Sequence, residues 1–176
     1  MGITGDYNTA VGTNALDAST TASNNTAVGR NALGANTTGQ YNVAIGSLSG
    51  DAITTGTENV CIGYDTGGGI TTGANNVMIG RAAGSHDTTL TDGAQNVVIG
   101  DFSDVSSGSA LNQIVIGYNI GASQNNEFRF GKPSNTVYND FGTNASWTRS
   151  SDVHKKTNIE DDTLGLDFIN DLRTVT

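Results

Sequence analysis

The chain has 176 residues, of which 24 are Gly and one is Pro, with 35% hydrophobic, 6% aromatic and 14% charged side chains. Gly at about twice its average usage, without a Gly-X-Y period or abundant Pro, excludes collagen, and the thin apolar content excludes an ordinary globular core unless repetition and partner chains compensate. Eight Lys and Arg against seventeen Asp and Glu give a net charge of −9, which argues against nucleic acid or an anionic membrane surface as the main partner.

No run approaches eighteen apolar residues and no charged-then-apolar leader is visible, so neither membrane insertion nor a signal peptide is expected. The single Cys61 cannot form an intrachain disulfide, and no Cys/His cluster has zinc-like spacing. Neither a cofactor nor a metal is expected.

From the N-terminus onward, a Gly closes a short apolar run at positions 12, 29, 46, 63, 80, 100, 117 and 131. The steps are 17, 17, 17, 17, 20, 17 and 14, and the step of twenty reads as a three-residue loop insertion around Asp87 to Leu90. Most runs have the form Asn42-Val43-Ala44-Ile45-Gly46, with Thr9 and Thr26 replacing Val in the first two copies. Loop-like stretches between them end in Thr-Thr-Gly, as at Thr37-Thr38-Gly39. Three β-branched or small residues bounded by Asn and Gly predict one short strand per repeat. Equivalent strands would stack about 4.8 Å apart, giving a rod about 40 Å long over eight coils.

Stacking places Asn8, Asn25, Asn42, Asn59, Asn76 and Asn96 in one column, an expected ladder of amides with Gln113 on the next rung. The Gly column is expected to supply a positive φ at the bend. Alternation puts Val43, Val60, Val77 and Val97 on the same side as Ile45, Ile62, Ile79 and Ile99. The intervening column, which includes Ala44, Cys61, Met78, Val98 and Val115, points the other way and contains no polar residue. Strands buried on both sides read as continuous apolar runs. The intervening column is therefore expected to face sister chains around a common axis.

The recurring Asn-Val-Ala-Ile-Gly unit resembles the left-handed parallel β-roll of trimeric autotransporter adhesin heads and its counterparts in bacteriophage tail fibres, over about residues 7–121. That resemblance implies a parallel homotrimer of β-roll solenoids. The period of seventeen is longer than is usual in the adhesin heads.

After Gly117 the pattern decays, and Asn126-Glu127-Phe128-Arg129-Phe130-Gly131 reads as a terminal coil with Arg in the middle position. Residues 122–150 hold Tyr138, Phe141, Trp147 and the sole Pro133, and are expected to form a β-rich connector with interchain packing. From residue 151 to 176 charges become dense. Leu164, Phe168, Leu172 and Val175 predict one face of a short helix, with Thr163 as its N-cap. So short a helix needs a larger domain or neighbouring chains to be stable.

The segment Ser151-Asp152-Val153-His154-Lys155-Lys156-Thr157-Asn158-Ile159, followed by Leu164-Gly165-Leu166-Asp167-Phe168-Ile169, resembles the opening of the endosialidase-type intramolecular chaperone that ends many phage tail fibres. His154 and Thr174 depart from the family's usual residues. The resemblance implies assisted trimerisation and then self-cleavage between Ser150 and Ser151, with Ser151 as nucleophile and Lys156 as base. A neutral, desolvated Lys can take the proton of a Ser hydroxyl.

Other chemistry has little support in the spacing. Calcium-binding solenoids repeat a carboxylate every coil, whereas Asp51, Asp65, Asp87 and Asp101 share no repeat position. Adjacent residues of each Thr-Thr pair point to opposite sides, so no two-column Thr array of the ice-binding kind is encoded. His86 and His154 read as surface residues, and Cys61 as a small apolar filler. No glycosidase-like carboxylate pair can be placed.

The expectation is therefore an all-β solenoid acting as a structural and adhesive segment of a trimeric phage tail fibre or spike. It would sit in the virion tail and meet a bacterial polysaccharide or outer-surface protein. The alternative is the head of a bacterial trimeric autotransporter adhesin at the cell surface.

Overall fold

The structure, a computed structural model, describes residues 5–143 and the backbone of 148–149. Its strands are β1 (Thr9–Val11), β2 (Thr26–Val28), β3 (Val43–Ile45), β4 (Val60–Ile62), β5 (Val77–Ile79), β6 (Val97–Ile99), β7 (Ile114–Gly117), β8 (Glu127–Lys132), β9 (Asn135–Asp140) and β10 (Thr148–Arg149). They form one sheet in sequence order. Strands β1 to β8 are parallel, each residue lying opposite its equivalent one repeat away, as in Val43↔Val60 and Ala44↔Cys61. This is a parallel β-solenoid with turns of about seventeen residues, and no helix occurs among the described residues.

The register survives the long step, because Val77 pairs with Val97 across the twenty-residue interval. Strand β8 adds a last parallel rung, with Phe128 opposite Ile114, and then turns back through antiparallel β9 and β10. Both of these strands fall in the expected β-rich connector. The expected C-terminal helix lies outside the described residues.

Two recurrent backbone features bend each coil. The Gly after the strand has φ between 127° and 139° in seven of the eight copies, Gly117 being the exception. A Cβ on Gly46 would also collide with the Gly63 carbonyl of the next coil, so both conformation and stacking require Gly there. The residue just before the ladder Asn is left-handed in every coil, with φ between 55° and 62°, even where it is Tyr41, Glu58 or Gln95. Such residues incur about 1–2 kcal/mol in that conformation. Their backbone N–H groups are held by the preceding coil, as Glu58 N–H donates to Gln40 O at 3.0 Å.

The core reverses one expectation. Ala44, Cys61, Met78, Val98 and Val115 do not face partner chains: each is fully buried inside its own solenoid. They pack against Leu33, Ile53, Ile70 and Leu90 from the opposite wall of the coil. The flanking Val and Ile columns point outward and are half-buried or exposed. A coil that must return on itself in seventeen residues has a narrow interior. One residue per strand enters it, and small ones suffice because the opposite wall supplies the bulk.

In some coils volume is exchanged between the strand residue and the position six residues on. Ala27 is followed six residues later by the buried, left-handed Leu33, whereas Cys61 and Met78 are followed at that spacing by Gly67 and Gly84. A Cβ on Gly67 would lie 2.7 Å from Cys61 Sγ, and one on Gly84 would lie 2.8 Å from Met78 Sδ. In these two coils a larger strand residue coincides with a missing side chain at the facing position, whereas Ala44 and Gly50 are both small and Ile53 and Leu33 close on the space beside Gly50.

Candidate functional site

The Asn column forms the expected ladder. Asn59 shows the repeating unit: its Nδ2 donates to Asn42 Oδ1 at 3.1 Å and to Gly73 O at 2.8 Å. Its Oδ1 accepts from Asn76 N at 3.1 Å and from Asn76 Nδ2 at 3.0 Å. The same pattern links Asn8, Asn25, Asn42, Asn76 and Asn96. Gln113 takes the next rung only through its backbone, donating to Asn96 Oδ1 at 3.1 Å, while its longer amide turns to Ser106. Four bonds saturate the amides of Asn42, Asn59 and Asn76, and Asn96 keeps three, so the ladder is structural cement and presents nothing to a ligand.

A parallel column satisfies the loops. The hydroxyls of Thr20, Thr37, Thr54, Thr71 and Thr91 each donate to the main-chain carbonyl one coil on. The second Thr of each pair, such as Thr38 and Thr55, faces solvent.

The exposed face of the sheet carries the larger candidate surface. Columns headed by Thr9 and Val11 run from β1 to β8 and end in Phe128 and Phe130. Val11, Ile45, Ile116 and Phe130 are each 40% or more exposed. Rungs spaced about 4.8 Å apart make this an apolar stripe about 35 Å long and about 10 Å wide, within the range of patches that mark contact surfaces. Polar or amphipathic residues adjoin it in the chain, among them Tyr41 and Glu58 before the strands and Ser47 and Tyr64 after them.

At its C-terminal end the core is closed by charge. Glu127 occupies the ladder position and is fully buried, its Oε2 accepting from Ser123 N–H and Oγ–H at 2.9 and 2.6 Å. Arg129, in the inward column above Val115, donates from Nε to Glu127 Oε1 and lies 5.1 Å from the centre of the Tyr138 ring.

A second cluster surrounds the insertion. The buried carboxylate of Asp104 accepts from His86 N at 3.0 Å and from Asp87 N at 2.8 Å. His86 Nδ1 lies 3.3 Å from Asp87 Oδ1 and 3.9 Å from Asp104 Oδ2. Its ring rests on Phe102 at 4.5 Å, and Arg81 covers that ring at 4.1 Å while reaching Asp101 at 3.8 Å. Burial raises the Asp104 pKa, opposed by the backbone N–H groups it accepts from. The sequence reading placed His86 on the surface and overlooked Asp104. The insertion hid the signal, because across the twenty-residue step Asp104 is equivalent to Gly84 and its nearness to His86 and Asp87 depends on the path of the inserted loop.

Elsewhere, Asn14, Asp17, Asn31, Gly34 and Asp51 line a shallow polar groove. Burial, and then the neighbouring Asp65, raise the Asp51 pKa. Burial alone pushes the Cys61 thiol up to about 12, which fits an inert filler. Ser150, Ser151 and Lys156 lie outside the described residues. Among the described residues no helix is long and apolar enough to cross a membrane.

The fold places the chain in the class of parallel β-solenoids. No protein-family profile matches it, and neither a curated protein nor a solved structure is significantly similar to it.

Proposed function

We propose that the chain is a structural and adhesive rod of a trimeric bacteriophage tail fibre or spike, three parallel solenoids packing through their outward Val and Ile columns. The observation that carries this reading is the apolar stripe on the exposed sheet face, continuous over eight rungs. A rod seeking only solubility gains nothing from β-branched residues there, whereas three copies around an axis would remove them from water. The axial contact thus uses the columns opposite to those that sequence alternation suggested. No cofactor is required, and the receptor is a bacterial surface polysaccharide or outer-surface protein.

Sedimentation of the full chain tests the assembly. A species of about three times the 18.1 kDa subunit is expected, and Ile62→Glu should shift it to single subunits without abolishing the β-sheet circular dichroism signal. A single-subunit species for the unaltered chain overturns the reading.

The Ser-Asp and Leu-Gly-Leu-Asp-Phe-Ile motifs support a second part of the proposal, a chaperone segment that frees the rod by cutting between Ser150 and Ser151. Mass spectrometry of the full-length protein should find a fragment starting at Ser151, absent in Ser151→Ala and Lys156→Ala. Uncut protein in all three preparations rejects the cleavage.

A further inference from the structure

We propose that the insertion between β5 and β6 builds a divalent transition-metal site from His86, Asp87 and Asp104. Everywhere else up to Gly117 the repeat keeps a spacing of seventeen residues, and only here are three added. The added length carries an imidazole and a carboxylate over the following coil, where a buried carboxylate waits. Asp104 occupies the position that Gly50, Gly67 and Gly84 hold in earlier coils, and its side chain is 6% exposed.

The ligand atoms converge. His86 Nδ1, one oxygen of Asp87 and one of Asp104 all lie within 4.8 Å of one another. Two edges are measured, at 3.3 Å and 3.9 Å, against about 3.4 Å for a tetrahedral ion with bonds of 2.0–2.1 Å. The exposed Asp87 side chain can turn to close the third edge, whereas Asp104 is fixed by the backbone N–H groups of His86 and Asp87. With Thr88 N–H as a third backbone donor, these bonds still leave Asp104 a lone pair for an ion, since a carboxylate has about four acceptor sites. The Phe102 ring holds the imidazole from one side.

Two carboxylates facing one imidazole nitrogen concentrate negative charge, which a bound dication relieves. The imidazole selects Zn²⁺, Ni²⁺ or Co²⁺ over Ca²⁺ and Mg²⁺, and the absence of thiolate disfavours Cu⁺. Three protein ligands leave a position for water, or for a hydroxyl or carboxylate of a bound surface glycan. The ion would also clasp the insertion to the next coil.

The test is calorimetric titration of the chelator-stripped full chain with ZnCl₂ alone. One ion per chain is expected, with a melting temperature several degrees higher in zinc than in chelator. His86→Gln and Asp87→Asn should each weaken binding at least about tenfold, as expected for loss of one ligand in three, and Asp87→Asn, whose side chain is 78% exposed, should leave the metal-free melting temperature unchanged. His154→Gln should bind as the unaltered chain does. Absence of saturable zinc binding, equal binding by His86→Gln, or loss of binding in His154→Gln overturns the proposal. Asp104→Asn is not used alone, since it also loosens the insertion.

Discussion

At the scale of single residues, the solenoid separates groups that stacking saturates from groups that it leaves in tension. Asp51 belongs to the second kind: burial and the nearby Asp65 raise its pKa above the ordinary 3.8. A carboxyl with a raised folded pKa contributes stability that is fully present below its unfolded value and lost as pH climbs through the folded one. Asp51→Asn should therefore melt higher than the unaltered chain at pH 7 and equally at pH 3. With the side chain partly in solvent, the gain should be a fraction of about 1 kcal/mol. A variant less stable at neutral pH would show that the Asp51 carboxylate is favourable as an ion. Asn59 is of the first kind, with four bonds to its side chain. Asn59→Leu keeps the bulk but strands the Gly73 carbonyl and the Asn76 donors, and should lower unfolding free energy in urea by about 2–4 kcal/mol.

At the scale of one coil, the strand fixes little by itself, since three residues per rung hold no stable structure without the rungs on either side. What distinguishes coils is how their interior is divided between the strand residue and the position six residues on. Gly84→Leu should fail or nearly fail to fold, because Met78 Sδ occupies the space. Adding Met78→Ala recreates the Ala27 and Leu33 arrangement on a backbone already left-handed, with φ of 72° at Gly84 and 50° at Leu33. The double variant should regain more than about 1 kcal/mol over Gly84→Leu, a coupling that a double-mutant cycle reads directly. Additive effects would mean that the two sites do not share volume. At a spacing of six the sequence shows an inverse size relation in some coils only, and Ala44 with Gly50 breaks it. The relation carried no meaning there, because nothing in a linear pattern says that these positions face each other.

At the scale of the molecule, stability in a stacked array is close to a sum over neighbouring interfaces, so the ends matter out of proportion to their size. The C-terminal end is sealed by the Glu127 and Arg129 pair over Val115. Arg129→Ala leaves a buried carboxylate without its cation and should remove about 3–5 kcal/mol. In hydrogen exchange the loss should appear first in the amides of β7 and β8 and fade toward β3. Uniform loss along the rod would indicate a single cooperative unit. The long apolar face belongs to the same scale, because no one coil exposes enough of it to bind anything, whereas eight aligned rungs make a surface for sister chains.

The sequence by itself determined the period, the position of each strand, the parallel stacking, the Asn ladder and the Gly bends. Each of these follows from residue type recurring at a fixed interval. Tertiary structure alone decided which side of the strands is the inside. Alternation states which residues share a face, but the direction in which the chain curls is set by the left-handed residues between strands, such as Tyr41 and Leu33, whose type does not announce that conformation. That curl turns Ala44 and Cys61 into the core and Val43 and Ile45 toward the surface, and it brings Asp104 beneath His86.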